Sequence, residues 1–215
     1  MTFRDNGGLW EDHRVEDVAT PEAFARDPLL VHRFYNARRE KLKTVEPNAT
    51  HFALAKLEER HPAHVTLITQ NVDDLHERAG SRNVMHMHGE LNKVRCGHCG
   101  NMTLWQGDLA VETPCPACNE AGAMRPHIVW FGEMPFFMEQ IDRALTDADL
   151  FISIGTSGNV YPAAGFVQLI RGMNRAHTVE LNLEPSQGES QFAEKIYGPA
   201  TEVVTAYVDK LLEDV

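Results

Sequence analysis

The chain has 215 residues, a length that suits one sizeable domain carrying a smaller insertion. Its hydrophobic content of 43% can fill a core, while its formal net charge of −11 at pH 7 argues against a general nucleic-acid-binding protein, which would need a basic face. No apolar run approaches the roughly 18 residues of a membrane-spanning helix, and the N-terminus lacks the hydrophobic segment of a signal peptide, so we expect a cytoplasmic protein.

Helical signals dominate the first 60 residues. Thr20 is a good N-cap and Pro21 suits the first turn, so a helix is predicted to begin there and to continue through Tyr35. A second helix is predicted over residues 48–60, where apolar side chains recur at helical spacing before Pro62.

Three short apolar runs predict β-strands, at residues 65–69, 150–154 and 178–182. Each run ends in polar residues, and helical sequence separates the runs. Strands that are apolar throughout and alternate with helices are typical of a parallel sheet that is covered on both faces and binds its ligand at the carboxyl ends of the strands. We therefore expect an α/β, Rossmann-like fold with its site along that edge.

The four cysteines form two CxxC pairs with 15 residues between the pairs. This spacing indicates a tetrahedral structural zinc site, whereas the cysteines of secreted disulfide scaffolds are seldom paired in this way. Reduced or disulfide-bonded cysteines are the alternative. Four thiolates leave no open coordination position, so Zn²⁺ would stabilise structure without entering the chemistry; its ligands would be Cys96, Cys99, Cys115 and Cys118.

The segment around the cysteines, residues 93–124, shows no helical or strand periodicity of its own. We therefore expect a zinc-binding module inserted into a Rossmann-like domain made of residues 1–92 and 125–215. The loop between the two cysteine pairs, residues 100–114, is long enough for a short hairpin.

His88 precedes Gly-Glu just before the zinc segment and is a candidate base, because imidazole titrates close to neutral pH. The chain has 11 histidines, and a solitary histidine is more often structural or solvated. His86 is the nearest rival.

Polar residues follow the predicted strands. Gln70, Asn71 and Asp73 could orient an amide and hydroxyl groups of a ligand, although Asn and Asp also cap helices and residues 71–78 could form one. Residues 155–157, Gly-Thr-Ser, form a small turn whose backbone amides could approach phosphate, and Asn182 follows the last of the three strands.

Tyr35 and Arg38 lie one helical turn apart, which places a phenol and a guanidinium on the same helix face. The planar fork of an arginine can pair both oxygens of a carboxylate, and tyrosine adds a hydroxyl donor. In the alternative interpretation the tyrosine packs in the core, while Arg38 and Arg39 belong to a solvated face.

Six motifs in this order resemble the sirtuin family, and in particular its bacterial CobB-type members. They are TQNVD (residues 69–73), HMHGE (86–90), the two CxxC pairs, FGE (131–133), GTS (155–157) and ELN (180–182). The resemblance runs from Thr2 almost to the C-terminus. It implies an NAD-dependent protein-lysine deacylase that removes acetyl and succinyl groups and yields nicotinamide, O-acyl-ADP-ribose and the deacylated lysine.

The resemblance also implies residue roles. His88 would activate a ribose hydroxyl, and His86 would be structural, because the family motif places the base directly before Gly-Glu. Tyr35 with Arg38 would bind the distal carboxylate of a succinyl group. An acylated peptide would add as a strand beside Val129, Phe131 and Gly132. The residues implied to bind NAD are Phe3, Arg4, Gln70, Asn71, Val72, Asp73, Gly155, Thr156, Ser157, Asn182, Leu183, Glu184 and Ala200. The implied partners are acylated-lysine proteins or peptides, without specific nucleic acid or membrane, and we expect a monomer.

Sirtuins also have a first strand and a GAGxS loop ahead of the position of Phe3, and this sequence starts after them. We expect a misplaced start or a fragment. An opposing hypothesis is a truncated, catalytically inactive zinc-containing module that binds acyl-peptides, which peptide binding without turnover would reveal. A zinc-ribbon nucleic-acid protein is disfavoured by the acidic charge.

Overall fold

The computed structural model describes residues 13–213, and all structural statements concern these residues. The helices in this range are α1 (Val15–Val18), α2 (Pro21–Arg26), α3 (Pro28–Leu42), α4 (Ala49–Arg60), α5 (Leu75–Arg78), α6 (Met138–Asp147), α7 (Phe166–Met173) and α8 (Ala200–Glu213). The strands are β1 (Leu67–Thr69), β2 (Val84–His86), β3 (Gly89–Cys96), β4 (Met102–Leu104), β5 (Met124–Ile128), β6 (Leu150–Ile154), β7 (His177–Asn182) and β8 (Glu194–Tyr197).

The chain divides into two compact units. Unit 1 takes in the chain up to Glu46, Thr69–Asp74 and His86–Phe136, and unit 2 takes in Pro47–Ile68, Leu75–Met85 and the chain from Phe137 onward. The boundaries that we expect for the zinc insertion, residues 93 and 124, stay a prediction.

The first predicted helix is two helices in the structure. Thr20 Oγ1 accepts a hydrogen bond from the Ala23 backbone N–H at 3.0 Å, so the predicted start is confirmed. The prediction of one continuous helix was wrong, because Asp27 leaves helical geometry at φ −145° and caps α3 by accepting from the Leu30 N–H at 2.9 Å. Pro28 explains the break, since its ring disfavours helical geometry at the residue before it.

Unit 1 contains an antiparallel sheet in the order β4-β3-β5. The interpretation of residues 93–124 as lacking strand periodicity was wrong: β3 and β4 form a hairpin whose turn holds the first CxxC pair. Its second strand lies within residues 100–114, the stretch described as long enough for a short hairpin. Val94 and Cys96 point into a small core, while Lys93 and Arg95 are only partly buried. The alternation of buried and partly buried side chains that is typical of a strand was therefore present in the sequence. It becomes visible only when the cysteines are counted as buried side chains.

Unit 2 contains a parallel sheet in the order β6-β7-β8, in which Ile152 lies beside Val179 and Val179 beside Glu194. The apolar face of β7 packs against α4 and α8 in one core cluster. On the opposite face, Val167 of α7 lines a small cavity together with Phe151 and Ser153 of β6. A parallel sheet with helices on both faces is therefore confirmed.

The other predicted elements lie close to their expected positions. Asn48 caps α4 by accepting from the backbone N–H groups of Thr50 and His51, and the helix ends at Arg60 as predicted. The predicted strand at residues 65–69 is β1, which pairs with β2 in a two-stranded sheet. Among the described helices, none has the length and apolar character needed to cross a bilayer.

Candidate active site and metal centre

His88 lies in the tight turn between β2 and β3. Its Nδ1 is 3.2 Å from the backbone carbonyl oxygen of Gln70, and its own carbonyl accepts a hydrogen bond from the Val129 N–H at 2.9 Å. Because a carbonyl oxygen can only accept, Nδ1 carries the proton, and Nε2 of the neutral ring keeps a lone pair. The turn therefore presents an oriented imidazole that can take up a proton at Nε2.

The next residue, Gly89, fixes the backbone of this turn. Its φ of +86° is a conformation that side chains other than glycine rarely adopt, and a Cβ there would overlap the His127 carbonyl oxygen. The Gly of the HGE sequence is therefore required by close packing against β5.

His86 differs from His88 in its surroundings. Its side chain is buried at the end of β2, with Nδ1 3.4 Å from the carbonyl oxygen of Asn71. This interior position supports the interpretation of His86 as structural, while His88 is only half-buried. The catalytic role of His88 stays a prediction.

The loop after β1 is ordered by backbone contacts with the chain around His88. Thr69 O accepts from the Met87 N–H at 3.1 Å, and Val72 O accepts from the Leu91 N–H at 2.7 Å. Asp73 is buried within this loop. The alternative of a helix over residues 71–78 is confirmed in part, because α5 occupies Leu75–Arg78 and residues 71–74 precede it as a loop.

Tyr35 and Arg38 lie on α3 and are 2% and 3% exposed. Burial raises the pKa of Tyr35 to about 12 and lowers that of Arg38 to about 10, so both groups keep their protons at neutral pH. The guanidinium of Arg38 lies 4.3 Å from the centroid of the Phe34 ring. The alternative of a solvated arginine face was wrong, since Arg39 is also buried and donates to the Leu91 carbonyl.

Sequence reasoning missed the groups that surround Tyr35. Trp130 Nε1 donates to the Tyr35 hydroxyl at 2.9 Å, and the Arg125 guanidinium lies 3.3 Å from the centroid of the indole ring. A tryptophan within an apolar run indicates a core residue, and no spacing rule connects it to a helix 95 residues earlier in the sequence. Only the tertiary fold brings the two side chains together.

The residues expected to bind an acylated peptide follow β5. Val129 is tied to the His88 turn by its N–H, and Phe131 donates its N–H to the Ala19 carbonyl at 3.0 Å. The side chain of Phe131 is 55% exposed, and Gly132 has φ +91°. This segment is therefore anchored by its backbone while it presents an aromatic side chain to solvent.

The remaining expected NAD-binding residues of the described range lie at the carboxyl ends of the strands in unit 2. Gly155 follows β6 with φ +61°, and its N–H donates to the Leu181 carbonyl. Asn182 Nδ2 donates to the Thr156 carbonyl at 2.8 Å, so this side chain connects the ends of β6 and β7. Two of the expected residues, Phe3 and Arg4, lie outside the described residues; Ser157, Leu183 and Glu184 are exposed, and Ala200 begins α8.

The four cysteine sulfurs form one cluster in which all Sγ atoms lie within 4.8 Å of one another. Cys96 and Cys118 are 3.8 Å apart, and Cys99 and Cys115 are 3.7 Å apart. A disulfide would need about 2.05 Å, so the disulfide alternative was wrong. Sulfurs bound at about 2.3 Å in a tetrahedron would be roughly 3.8 Å apart, and the donor set is therefore consistent with structural zinc.

Comparison with known proteins agrees with this arrangement. The Sir2 family model matches residues 1–162. A protein of Salmonella typhimurium named NAD-dependent protein deacylase is 60% identical over 99% of this chain and 78% of its own length. A protein of the same name from Yersinia pseudotuberculosis is 61% identical over 98% of this chain and 76% of its own length.

Solved structures with the same fold include ligand complexes. A Sir2 homologue in complex with NAD is 39% identical with a TM-score of 0.86, and the match covers 100% of this chain and 84% of that chain. Sir2Af2 bound to a myristoylated histone peptide is 31% identical with a TM-score of 0.73, covering 92% and 85%. On the family model, the close relatives and these structures, the chain belongs to the Sir2 family.

Proposed function

We propose that this chain is an NAD-dependent protein-lysine deacylase that removes both acetyl and succinyl groups. The observation that carries the proposal is His88, oriented by the Gln70 carbonyl in a turn that also binds the segment after β5. Relatives named as NAD-dependent protein deacylases, at about 60% identity, support the same activity.

NAD would be the co-substrate: the acyl oxygen would bond to C1′ of its nicotinamide ribose as the C1′–N bond breaks and nicotinamide leaves. The task of His88 in this scheme is to take a proton from a ribose hydroxyl at Nε2, while Nδ1–H stays bonded to the Gln70 carbonyl. A neutral imidazole is needed for this step, because a protonated ring has no lone pair with which to accept the proton.

The remaining residues of the strand-end loops would orient the dinucleotide. Asp73 and Asn71 would bind the nicotinamide amide, and the turn at residues 155–157 would bring backbone N–H groups to phosphate. At Gly155, with φ +61°, a Cβ would meet no atom within 4 Å, so the turn is open to a close ligand at that residue. The other residues that would contact NAD are Phe3, Arg4, Gln70, Val72, Asn182, Leu183, Glu184 and Ala200.

Selectivity for an acidic acyl chain would come from Tyr35 and Arg38. The buried guanidinium supplies a positive charge in a low-dielectric setting, and the protonated phenol supplies a neutral donor. A succinyl carboxylate would gain from both groups, whereas an acetyl group is too short to reach them. Acetyl and succinyl groups would undergo the same reaction, at the amide that joins each of them to the lysine.

The partner is an acylated lysine in a protein or peptide, which would lie beside Val129, Phe131 and Gly132 as an added strand. Zinc in the Cys₄ cluster would stabilise the β3–β4 hairpin, with no open position for chemistry. We further propose a cytoplasmic monomer without specific nucleic-acid or membrane partners; the formal charge of −11 favours this over a nucleic-acid role.

Mass-spectrometric turnover of a succinyl-lysine peptide, with and without NAD, tests the proposal on protein whose folding circular dichroism has confirmed. NAD-dependent loss of the succinyl group together with nicotinamide release would support the enzyme. Binding of the peptide by folded protein without turnover would instead support the catalytically inactive acyl-peptide binding module.

A further inference from the structure

Tyr35 has one hydrogen-bond partner in the described part of the chain, and that partner is a donor. Trp130 Nε1–H donates to the phenolic oxygen at 2.9 Å, and both side chains are buried. An indole nitrogen can only donate, so this bond uses a lone pair of Tyr35 and leaves the phenolic proton directed elsewhere. Among the described residues, none accepts that proton.

Trp130 is itself held in place from two sides. Its backbone N–H donates to Glu133 Oε2 at 2.8 Å, and its ring lies under the Arg125 guanidinium at 3.3 Å from the centroid. Arg125 in turn makes two hydrogen bonds to Glu133, at 2.7 and 3.0 Å. Turning the indole away from Tyr35 would therefore cost its contact with the Arg125 guanidinium, which the pair with Glu133 holds in place.

These contacts have a consequence for a ligand that carries a carboxylate. Donation from Trp130 polarises the phenol and orients its proton away from the indole, which preorganises Tyr35 as a donor. The same bond would contribute nothing to an acyl group that lacks an acceptor at its end. The arrangement therefore acts on the acidic end of an acyl chain and not on the reacting amide.

We propose that Trp130 is a positioning residue for acyl selectivity, which favours acyl-lysines with a terminal carboxylate by fixing the Tyr35 hydroxyl as a donor. The inference rests on the proposed function, because it assigns Tyr35 to the acyl pocket. Arg125 and Glu133 contribute to the same positioning, since they hold the indole in place.

Trp130→Phe keeps an aromatic ring and removes only the N–H donor, so it is the variant to test. Equilibrium dissociation constants for succinyl-lysine and acetyl-lysine peptides of the same sequence are measured, and kcat and KM are measured with NAD. Loss of one hydrogen bond predicts about 3- to 10-fold weaker succinyl-peptide binding, with acetyl-peptide binding within about 2-fold of the original. In turnover assays, KM for the succinyl peptide should rise while kcat stays unchanged.

Trp105→Phe is the matched control, because its Nε1–H donates to the Asp108 carbonyl at 3.3 Å and not to Tyr35. It should leave the ratio of the two dissociation constants unchanged. A double-mutant cycle separates positioning from general structure: in the Tyr35→Phe background, Trp130→Phe should have no further effect on that ratio.

The inference would be overturned if Trp130→Phe weakened binding of both peptides equally, left the ratio of dissociation constants unchanged, or had its full effect in the Tyr35→Phe background. A wild-type chain that binds neither peptide would also overturn it. If Trp130→Phe does not fold, Glu133→Gln removes the negative charge that pairs with Arg125 over the indole, and it should shift the ratio in the same direction by a smaller factor; no shift would count against the inference. Selective binding without NAD-dependent turnover would refute the proposed enzyme activity and leave the role of Trp130 standing.

Discussion

The Nδ1 atom of His88 lies 3.2 Å from the carbonyl oxygen of Gln70, and this contact decides which ring nitrogen can act as a base. The carbonyl accepts the Nδ1 proton, so Nε2 carries the lone pair. The carbonyl belongs to the loop directly after β1, which connects the orientation of the imidazole to the loop expected to bind the nicotinamide amide.

Replacing His88 by alanine should therefore abolish proton transfer and leave the fold intact. We expect kcat/KM to fall by about 10²- to 10⁴-fold, the usual contribution of a general base. Turnover of the succinyl peptide and zinc content are measured together. Retained turnover would remove His88 from the mechanism, whereas loss of zinc from the variant would contradict the expectation that the fold stays intact.

Arg38 and Arg39 are adjacent buried arginines with different predicted roles, which makes them a matched pair. Arg38→Met should raise KM for the succinyl peptide by about 10-fold or more, with a far smaller effect on the acetyl peptide, because a charged partner of the carboxylate is lost. Arg39 binds the carbonyls of Leu91 and Gly107, so Arg39→Met should lower stability without changing the selectivity. Equal selectivity changes in the two variants would refute the acyl-pocket assignment.

Removing the metal should unfold the hairpin made by β3 and β4. A chelator is expected to extract one zinc per chain and to lower Tm by about 10 °C or more, since structural zinc contributes folding free energy directly. Metal analysis and thermal unfolding check this, and added Zn²⁺ should restore Tm. A metal-free protein with unchanged Tm would show that the Cys₄ cluster needs no ion.

Gly89→Ala should be much more destabilising than an alanine at another glycine of similar φ. Gly122, at φ +79°, has open space where a Cβ would lie, so Gly122→Ala should cost only about 1 kcal/mol of backbone strain. At Gly89 the new Cβ overlaps the His127 carbonyl, and we expect a loss above about 3 kcal/mol. Urea unfolding measures the free energy of unfolding of both variants, and similar losses in the two would contradict the predicted overlap.

Glu133 should contribute stability that depends on pH. Its burial would raise the pKa, but hydrogen bonds from Arg125 and the Trp130 N–H outweigh burial and lower the pKa below its usual range. A lowered folded-state pKa gives stability that is fully present above the unfolded pKa of about 4.3 and is lost as pH falls through the folded pKa.

Glu133→Gln should therefore cost about 1 to 3 kcal/mol at pH 7, and this difference from the original chain should shrink below about pH 4. Urea midpoints of both proteins at each pH give the difference. Glu139→Gln is the control, because its pair with Arg143 at 3.7 Å is exposed and should contribute almost nothing. A difference that persists unchanged in acid would contradict the assignment.

The sequence by itself determined the elements and the chemistry that depend on local spacing. β6 has the predicted bounds and the Thr20 and Asn48 caps lie at helix starts, because capping and apolar runs are properties of neighbouring residues. The two CxxC pairs predicted the four-sulfur cluster for the same reason, since their turns supply the ligand geometry locally.

Only the tertiary structure decided which distant groups meet. The bond from Trp130 to Tyr35 and the overlap that requires Gly89 depend on packing between segments far apart in the chain, which no local pattern encodes. Burial also decided that Arg38 is not on a solvated face, because the exposure of an arginine depends on what covers its helix and not on its own sequence neighbours.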